Sequence, residues 1–225
     1  MSKVVHPYAH RLGILRDWRH RWFATGEKYH QYLKADILLR EFLQKELRSM
    51  YVGGIEIERN EKTLRVIVKT SRPGMIIGRS GEGSQKLRTK IATFLQKRSL
   101  QTPEIKLDIE EIRSPESNAA IVASMVVEGL EKRLPFRRVL KQTIEKAMAN
   151  RDVKGVRIAL SGMLGGGSMS RREELKKGRI PLQTLRSDID FARERANLPL
   201  GVIGVKVWIY RGEVFAERGK DKKEK

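Results

Sequence analysis

A turn of Gly-x-x-Gly form spans Gly78 to Gly81 and has the composition of a phosphate-binding loop. Glycine has no Cβ, so both ends of the turn can adopt positive φ and let a ligand backbone approach closely. A helix is predicted to begin at Glu82, and the free N–H groups of a helix N-terminus attract anions. Between the glycines, Arg79 adds a formal charge and Ser80 adds a hydroxyl donor. These features favour contact with a phosphate backbone.

The Gly-x-x-Gly pattern alone is a weak signal in a chain with 19 glycines, and a tight turn without a ligand is the alternative. The residues that follow the glycines exclude two kinds of nucleotide-binding loop. A Walker-type loop from Gly78 to Gly83 would continue with Lys and then Ser or Thr, but this chain continues with Ser84-Gln85. A dinucleotide-binding loop that began at Gly81 would require a third glycine where Lys86 stands. Nucleotide hydrolysis and dinucleotide binding are therefore not expected of the turn.

A second group of cations lies on a helix that is predicted to start at Pro135. Arg137, Arg138 and Lys141 share one stripe of this helix, and apolar residues occupy the other side. A solvated helix face usually mixes positive and negative charges. The unmixed stripe therefore favours nucleic-acid binding over an ordinary solvated surface.

A third basic cluster surrounds a predicted turn at Gly178. Glu173 and Glu174 lie close by in the sequence, so an ordinary charged hairpin is an equal alternative to a phosphate-binding one. The cations of this cluster are Arg171, Arg172, Lys176, Lys177 and Arg179.

No catalytic or metal site is predicted. All four histidines lie in the first 30 residues, and cysteine is absent, which fits a reducing compartment. Asp188 and Asp190 could coordinate a cation, but strand alternation puts both on one face, where ion pairs with arginines are favoured. We therefore expect no enzymatic activity, no metal and no cofactor.

The composition indicates a globular protein with a polyanionic partner. The chain has 225 residues, 40% of them hydrophobic, and 47 basic against 27 acidic residues give a net charge of +20. Residues 1–108 hold 22 basic and 11 acidic residues and residues 109–225 hold 25 and 16, so both halves are cationic at +11 and +9. The longest apolar run, at 119–127, is too short for a membrane span. We expect no membrane partner.

Hydrophobic periodicity predicts how these residues are positioned. Residues 1–33 are predicted to form an extended arm, and 34–112 have the order helix, strand, strand, glycine turn, helix, strand, which is the element order of a KH module. Residues 113–212 are predicted to form a second α+β domain, and 213–225 a short charged tail. The predicted helices cover 34–50, 82–98, 115–134 and 135–150, and the clearest strands cover 55–58, 64–69, 105–112, 156–161 and 202–210.

The ordered motifs of the chain resemble those of a ribosomal family, the bacterial-type small-subunit ribosomal protein three. The matching motifs are Arg72-Pro73-Gly74, Phe136-Arg137-Arg138, Gly178-Arg179-Ile180-Pro181-Leu182, Asp188-Ile189-Asp190 and the run from Gly201 to Ile209. The resemblance implies a type II KH domain, followed by a second α+β domain with two helices packed on a mixed β-sheet. It also implies a cytoplasmic, ribosome-bound protein of the small-subunit head, with an organelle ribosome as the less favoured location.

The implied partners are small-subunit ribosomal RNA, messenger RNA at the channel through which it enters, and neighbouring small-subunit proteins. By position, the KH loop contacts would come from Arg72, Ile77, Gly78, Arg79, Ser80, Gly81 and Lys86, and the messenger contacts from Arg137, Arg138 and Lys141. Further candidates for ribosomal RNA contact are His6, Arg11, Arg16, Trp22, Arg171, Arg172, Lys176, Lys177 and Arg179. A nucleic-acid lyase, a nucleotide-dependent factor and a free KH regulator are the alternatives.

Two departures from the family pattern affect these expectations. The family loop commonly carries two lysines between its glycines, whereas this chain has Arg79-Ser80, so its phosphate contact should be weaker by one charge. Met163 stands where family members often have arginine, which removes a cation at that position. We therefore expect the stripe of Arg137, Arg138 and Lys141 to matter more for messenger contact than the glycine turn.

Overall fold

The computed structural model describes residues 5–60, 62–98 and 104–214, and it contains two four-stranded sheets with helices packed against them. The helices are α1 (Pro7–His10), α2 (Gly26–Glu46), α3 (Pro73–Ile77), α4 (Glu82–Lys97), α5 (Ala119–Glu131) and α6 (Phe136–Ala149). The strands are β1 (His20–Arg21), β2 (Val52–Arg59), β3 (Thr63–Thr70), β4 (Glu104–Glu111), β5 (Gly155–Gly162), β6 (Arg171–Gly178), β7 (Ser187–Leu198) and β8 (Gly201–Glu213). Within the described ranges, no helix is both long and apolar enough to cross a bilayer.

The first sheet has the strand order β1-β2-β3-β4 and is mixed. The predicted hairpin is present, because β2 and β3 are antiparallel with Ile57 opposite Val66. β4 then returns parallel to β3, which places Val66 beside Leu107. Leu43 of α2 and Ile91 of α4 are fully buried in the core of this sheet. The order α2-β2-β3-α3-α4-β4 agrees with the expected KH module.

The second sheet has the order β6-β5-β8-β7, and every neighbouring pair of described strands is antiparallel. The expected mixed sheet is therefore wrong for this domain. The two residues between Leu198 and Gly201 join β7 to β8 as a hairpin, which makes this pair antiparallel. Helices α5 and α6 cover one face of the sheet, as expected, and Val126 and Ile158 are fully buried between the two layers.

The N-terminal region differs most from the sequence expectation. Helix α2 begins at Gly26 rather than Lys34, and the preceding residues include a short helix and a strand rather than a fully extended arm. Periodicity missed the first two turns of α2 because they bury almost nothing: of residues 26–33, Tyr32 alone is buried. The ring of Trp22 packs against Tyr29 and Tyr32. The predicted tail from residue 215 onward lies outside the described residues.

The glycine turn is held by a close approach between α3 and α4. A Cβ added at Gly83, in the first turn of α4, would lie 2.5 Å from the carbonyl oxygen of Ile76 and 2.9 Å from that of Ile77. The N–H of Gly78 donates to the carbonyl of Gly74 at 3.0 Å and ends α3. Gly83 therefore sets the separation of the two helices that present the turn.

Replacing Gly83 by Ala is expected to destabilise the fold by about 1–3 kcal/mol, because the added methyl group overlaps backbone that must shift. Gly74→Ala is the matched control, since nothing lies within 4 Å of its added Cβ. Alanine at Gly74 should stabilise slightly, by about 0.4–1 kcal/mol, through the unfolded state. Urea unfolding measures both variants, and equal midpoints for the two would contradict the role given to Gly83.

Candidate nucleic-acid interface

The glycine turn presents its backbone to solvent in left-handed conformations. Gly78 has φ 70°, Ser80 has φ 53° and Gly81 has φ 82°, and between the glycines Arg79 and Ser80 are exposed. The predicted requirement for glycine is met at both ends, since positive φ is strained for residues with a Cβ. Ser84 stabilises the turn from within α4, because its hydroxyl donates to the carbonyl of Gly81 at 2.7 Å.

Two other predicted contacts flank the turn. Arg72 precedes α3, and its guanidinium lies over the ring of Tyr51 at 4.6 Å, which orients the cation. Lys86 pairs with Glu82 at 2.5 Å, and the two side chains are 69% and 64% exposed. Such an exposed pair contributes only about 0.3–0.5 kcal/mol, so a phosphate can replace Glu82 as the partner of Lys86. Ile77 is also exposed beside the turn.

The basic stripe on α6 lies on the exposed side of a helix whose other side is buried. Arg137, Arg138 and Lys141 are exposed, while Val139 and Leu140 face the core. Arg137 forms one ion pair, with Glu173 at 3.3 Å. Among the described residues, the other two cations have no ion-pair partner. Pro135 caps the helix and is not its first residue, so the predicted start is shifted by one position.

The third basic cluster lies mainly on a strand rather than around a turn, because β6 begins at Arg171 and ends at Gly178. Strand alternation divides its cations between the two faces of the sheet. Glu174 accepts hydrogen bonds from Arg157 at 2.6 Å and from Arg172 at 3.4 Å, and the bond from Arg157 lowers the pKa of Glu174. Arg171, Lys176, Lys177 and Arg179 are exposed. β6 thus remains a basic edge strand.

The structure contradicts an RNA contact for Arg11, because this residue is 0% exposed. The guanidinium donates to the carbonyls of Pro7, Leu182, Thr184 and Ser187 at 2.6–3.1 Å. The contact was predicted because the segment is rich in arginine, and a sequence does not distinguish solvent-facing from buried arginines. Arg11 holds the arm on the second sheet.

Two other arm candidates, Trp22 and Arg16, are engaged within the fold. Trp22 donates from Nε1 to Asp36 at 2.6 Å, and Asp36 also forms a buried ion pair with Arg59 at 2.8 Å. Arg16 pairs with Asp188 at 2.6 Å. These partners make Trp22 and Arg16 structural residues first, which the sequence did not indicate.

His6 accepts a hydrogen bond from the N–H of Tyr8 at its Nδ1 and meets the ring of Phe191 edge-on. Burial lowers the pKa of His6, and the charges of Arg193 and Arg19 lower it further. The lowered pKa favours the neutral imidazole that this acceptor role requires. His6 therefore caps α1.

The two aspartates of β7 have arginine partners. Asp188 pairs with Arg16, Asp190 pairs with Arg211 at 3.2 Å, and Asp190 also accepts from the N–H of Ala119 at the start of α5. The ion-pair interpretation is confirmed. Within the described residues, no group of three or more potential ligands could hold a metal ion.

Comparison with known proteins gives two family matches. The family model described as KH domain matches residues 38–117, and the family model described as Ribosomal protein S3, C-terminal domain, matches residues 126–209. The two matches follow each other in the order expected from the resemblance. They confirm an α+β chain with a KH module before a second domain.

Relatives cover almost the whole chain. The small ribosomal subunit protein uS3 of Caldicellulosiruptor saccharolyticus is 42% identical over 219 residues, which are 97% of this chain and 96% of the relative. The proteins of the same name from Ectopseudomonas mendocina and Pseudomonas fluorescens are each 43% identical over 223 residues, 99% of this chain and 95% of the relative. These are ribosomal proteins and not enzymes, in agreement with the expectation from the sequence. The full-length identity, together with the two domain matches, shows that the chain belongs to the bacterial-type ribosomal protein S3 family.

Proposed function

We propose that this protein is a structural RNA-binding component of the small-subunit head, which holds ribosomal RNA and contacts messenger RNA where it enters during translation. The observation that carries the messenger role is the stripe on α6, whose Arg138 and Lys141 are exposed and lack ion-pair partners among the described residues. Uncompensated cations on a rigid helix suit a phosphate backbone, since each contact releases a condensed counterion.

The glycine turn supports a second, single-stranded RNA contact. Its backbone is open to solvent, α4 starts directly after it, and Arg79 supplies one cation. A KH loop of this kind clamps about four nucleotides of backbone. Because Ser80 replaces a commonly basic residue, the contact at the turn is weaker than that at the stripe.

The stripe would act on structured messenger by mass action. A surface that binds the single strand but not the base-paired form shifts the pairing equilibrium toward the open strand. The backbone contacts carry no sequence preference, as a protein that meets every messenger requires. This mechanism needs no nucleotide hydrolysis, in keeping with the spacing that excludes a Walker loop.

An apolar surface near the start of α2 supports a contact with a neighbouring protein of the subunit. Tyr29, Leu33 and Ile37 recur every four residues and are exposed along one stripe of the helix. Phe23 is 89% exposed just before it. Contiguous exposed apolar side chains usually mark a protein interface. We therefore assign this surface to a protein partner rather than to RNA.

Replacing Arg137, Arg138 and Lys141 together by Gln should lower the salt slope of single-stranded RNA binding by about 2, from about 0.7 per lost phosphate contact. The matched control replaces three exposed lysines of α2, Lys28, Lys34 and Lys45, by Gln. Fluorescence anisotropy with a 20-nucleotide RNA, at salt concentrations from about 50 to 200 mM, measures the slope. An unchanged slope in the α6 variant, or an equal loss in the control, would sink the assignment.

A lysine in the glycine turn should restore the missing charge. Ser80→Lys is expected to raise the salt slope for single-stranded RNA by about 0.7, because the turn then makes one more phosphate contact. Ser80→Gln is the control, since it has similar length and no charge and meets the same left-handed backbone. If the two variants bind RNA with the same slope, the turn does not contact phosphate.

A further inference from the structure

The second sheet has an open face opposite its helices. Part of this face is covered, because Trp208 and Tyr210 pack with Ile180, Leu182 and Phe191 in a small core of their own. The arm lies against the same part, with His6 on Phe191. The remaining part of the face lies nearer the β7–β8 turn, and all four strands contribute outward-facing residues to it.

The strand register gives the composition of the open part. In one row, Glu174 of β6 lies beside Ala159 of β5, then Lys206 of β8 and Arg193 of β7. The next row consists of Arg172, Ser161, Gly204 and Arg195. Arg157 and Lys176 lie in the adjoining row toward the covered part. Six cations and one carboxylate therefore share this surface.

The single carboxylate cannot balance the cations, because Glu174 is already bonded to Arg157 and Arg172. Among the described residues, Arg193, Arg195 and Lys206 have no ion-pair partner, and all three are exposed. Lys206 and Arg193 are direct register partners. Like charges directly opposite each other destabilise a sheet, so this arrangement disfavours the free protein and favours an anionic ligand.

The residues between the cations have small side chains or none. Ser161 and Gly204 occupy the centre, and a Cβ at Gly204 would lie 2.9 Å from the hydroxyl oxygen of Ser161, while Ala159 beside them is buried at the edge of the covered core. With strands about 4.8 Å apart, the two outer cations of the row, Arg172 and Arg195, stand roughly 14 Å from each other. The surface can therefore contact a broad ligand that lies across it.

The aromatic ring nearest this surface is not available for stacking. Trp208 is only 6% exposed, and the guanidinium of Arg157 covers it at 4.9 Å. Proteins that bind single strands use exposed aromatic rings on which bases stack, whereas duplex RNA is recognised by its shape, phosphates and 2′-hydroxyls. The chemistry of the surface thus matches a duplex backbone.

We propose that Arg157, Arg172, Lys176, Arg193, Arg195 and Lys206, the sheet-face cluster, bind the phosphate backbone of duplex RNA without reading its sequence. The site lies on the opposite side of the sheet from α6, so duplex RNA and a single strand can be bound at the same time. It depends on the proposed function only in that the ligand is RNA.

The test replaces Arg193, Arg195 and Lys206 by Gln in the full-length protein. Binding of a 16-base-pair blunt RNA duplex and of a 20-nucleotide single strand is followed by anisotropy at about 50 to 200 mM salt. We expect the salt slope for the duplex to fall by roughly 2 to 3, while that for the single strand stays unchanged. The α6 variant should lower the slope for the single strand by about 2, because its stripe is the proposed single-strand contact.

Each failure points to a different proposal. An unchanged duplex slope in the sheet-face variant, or an equal loss in the α2 lysine control, overturns the duplex site and leaves the α6 stripe standing. Polyglutamate and unlabelled duplex RNA are compared as competitors at equal concentrations of negative charge. If polyglutamate displaces the labelled duplex more effectively, the surface is reassigned to an acidic protein. Urea unfolding should show the variant folded and no less stable than the parent, since like-charge contacts are removed. If the triple variant fails to fold, the Arg193→Gln, Lys206→Gln double variant carries the same test with a smaller expected fall.

Discussion

The buried guanidinium of Arg11 is the constraint on which the arrangement of the N-terminal region depends. A charge removed from water must be compensated by hydrogen bonds, and Arg11 finds them in the carbonyls of Pro7, Leu182, Thr184 and Ser187. Leu182 and Thr184 lie in the segment that leads into β7, and Ser187 is the first residue of that strand. The arm therefore cannot leave this position without breaking the hydrogen bonds to Leu182, Thr184 and Ser187, and it covers part of the second sheet as a result.

A second buried contact joins the same arm to the first sheet. Trp22 and Arg59 both bind Asp36, and His20 of β1 pairs with Ile57 of β2. The basic residues are thus sorted by their surroundings: the buried Arg11 and Arg59 are hydrogen-bonded to carbonyls or to a carboxylate, and many of the exposed ones have no ion-pair partner among the described residues. Exposed cations at the glycine turn, the stripe on α6 and the sheet-face cluster are therefore available to a polyanion.

Much of the fold and part of the candidate interface could be predicted from local sequence. Alternation gave the β2–β3 hairpin, and a helical period gave α4 and the exposed stripe on α6, because each pattern lies within one element. The burial of Arg11 was not predictable, since three of its four acceptors lie more than 170 residues away. The sheet-face cluster was missed for a similar reason. Arg193 and Lys206 are 13 residues apart and become neighbours only through the register of β7 and β8.

The most direct measurement is photo-crosslinking on assembled small subunits. A messenger that carries photoreactive uridines is irradiated on subunits containing this protein, and the crosslinked peptides are identified by mass spectrometry. We expect nucleotides attached to the segment that contains Arg138 and Lys141, and we expect them to disappear in subunits with Gln at Arg137, Arg138 and Lys141. Crosslinks that leave this segment unmodified, or that persist in the variant at the same yield, would contradict the messenger contact.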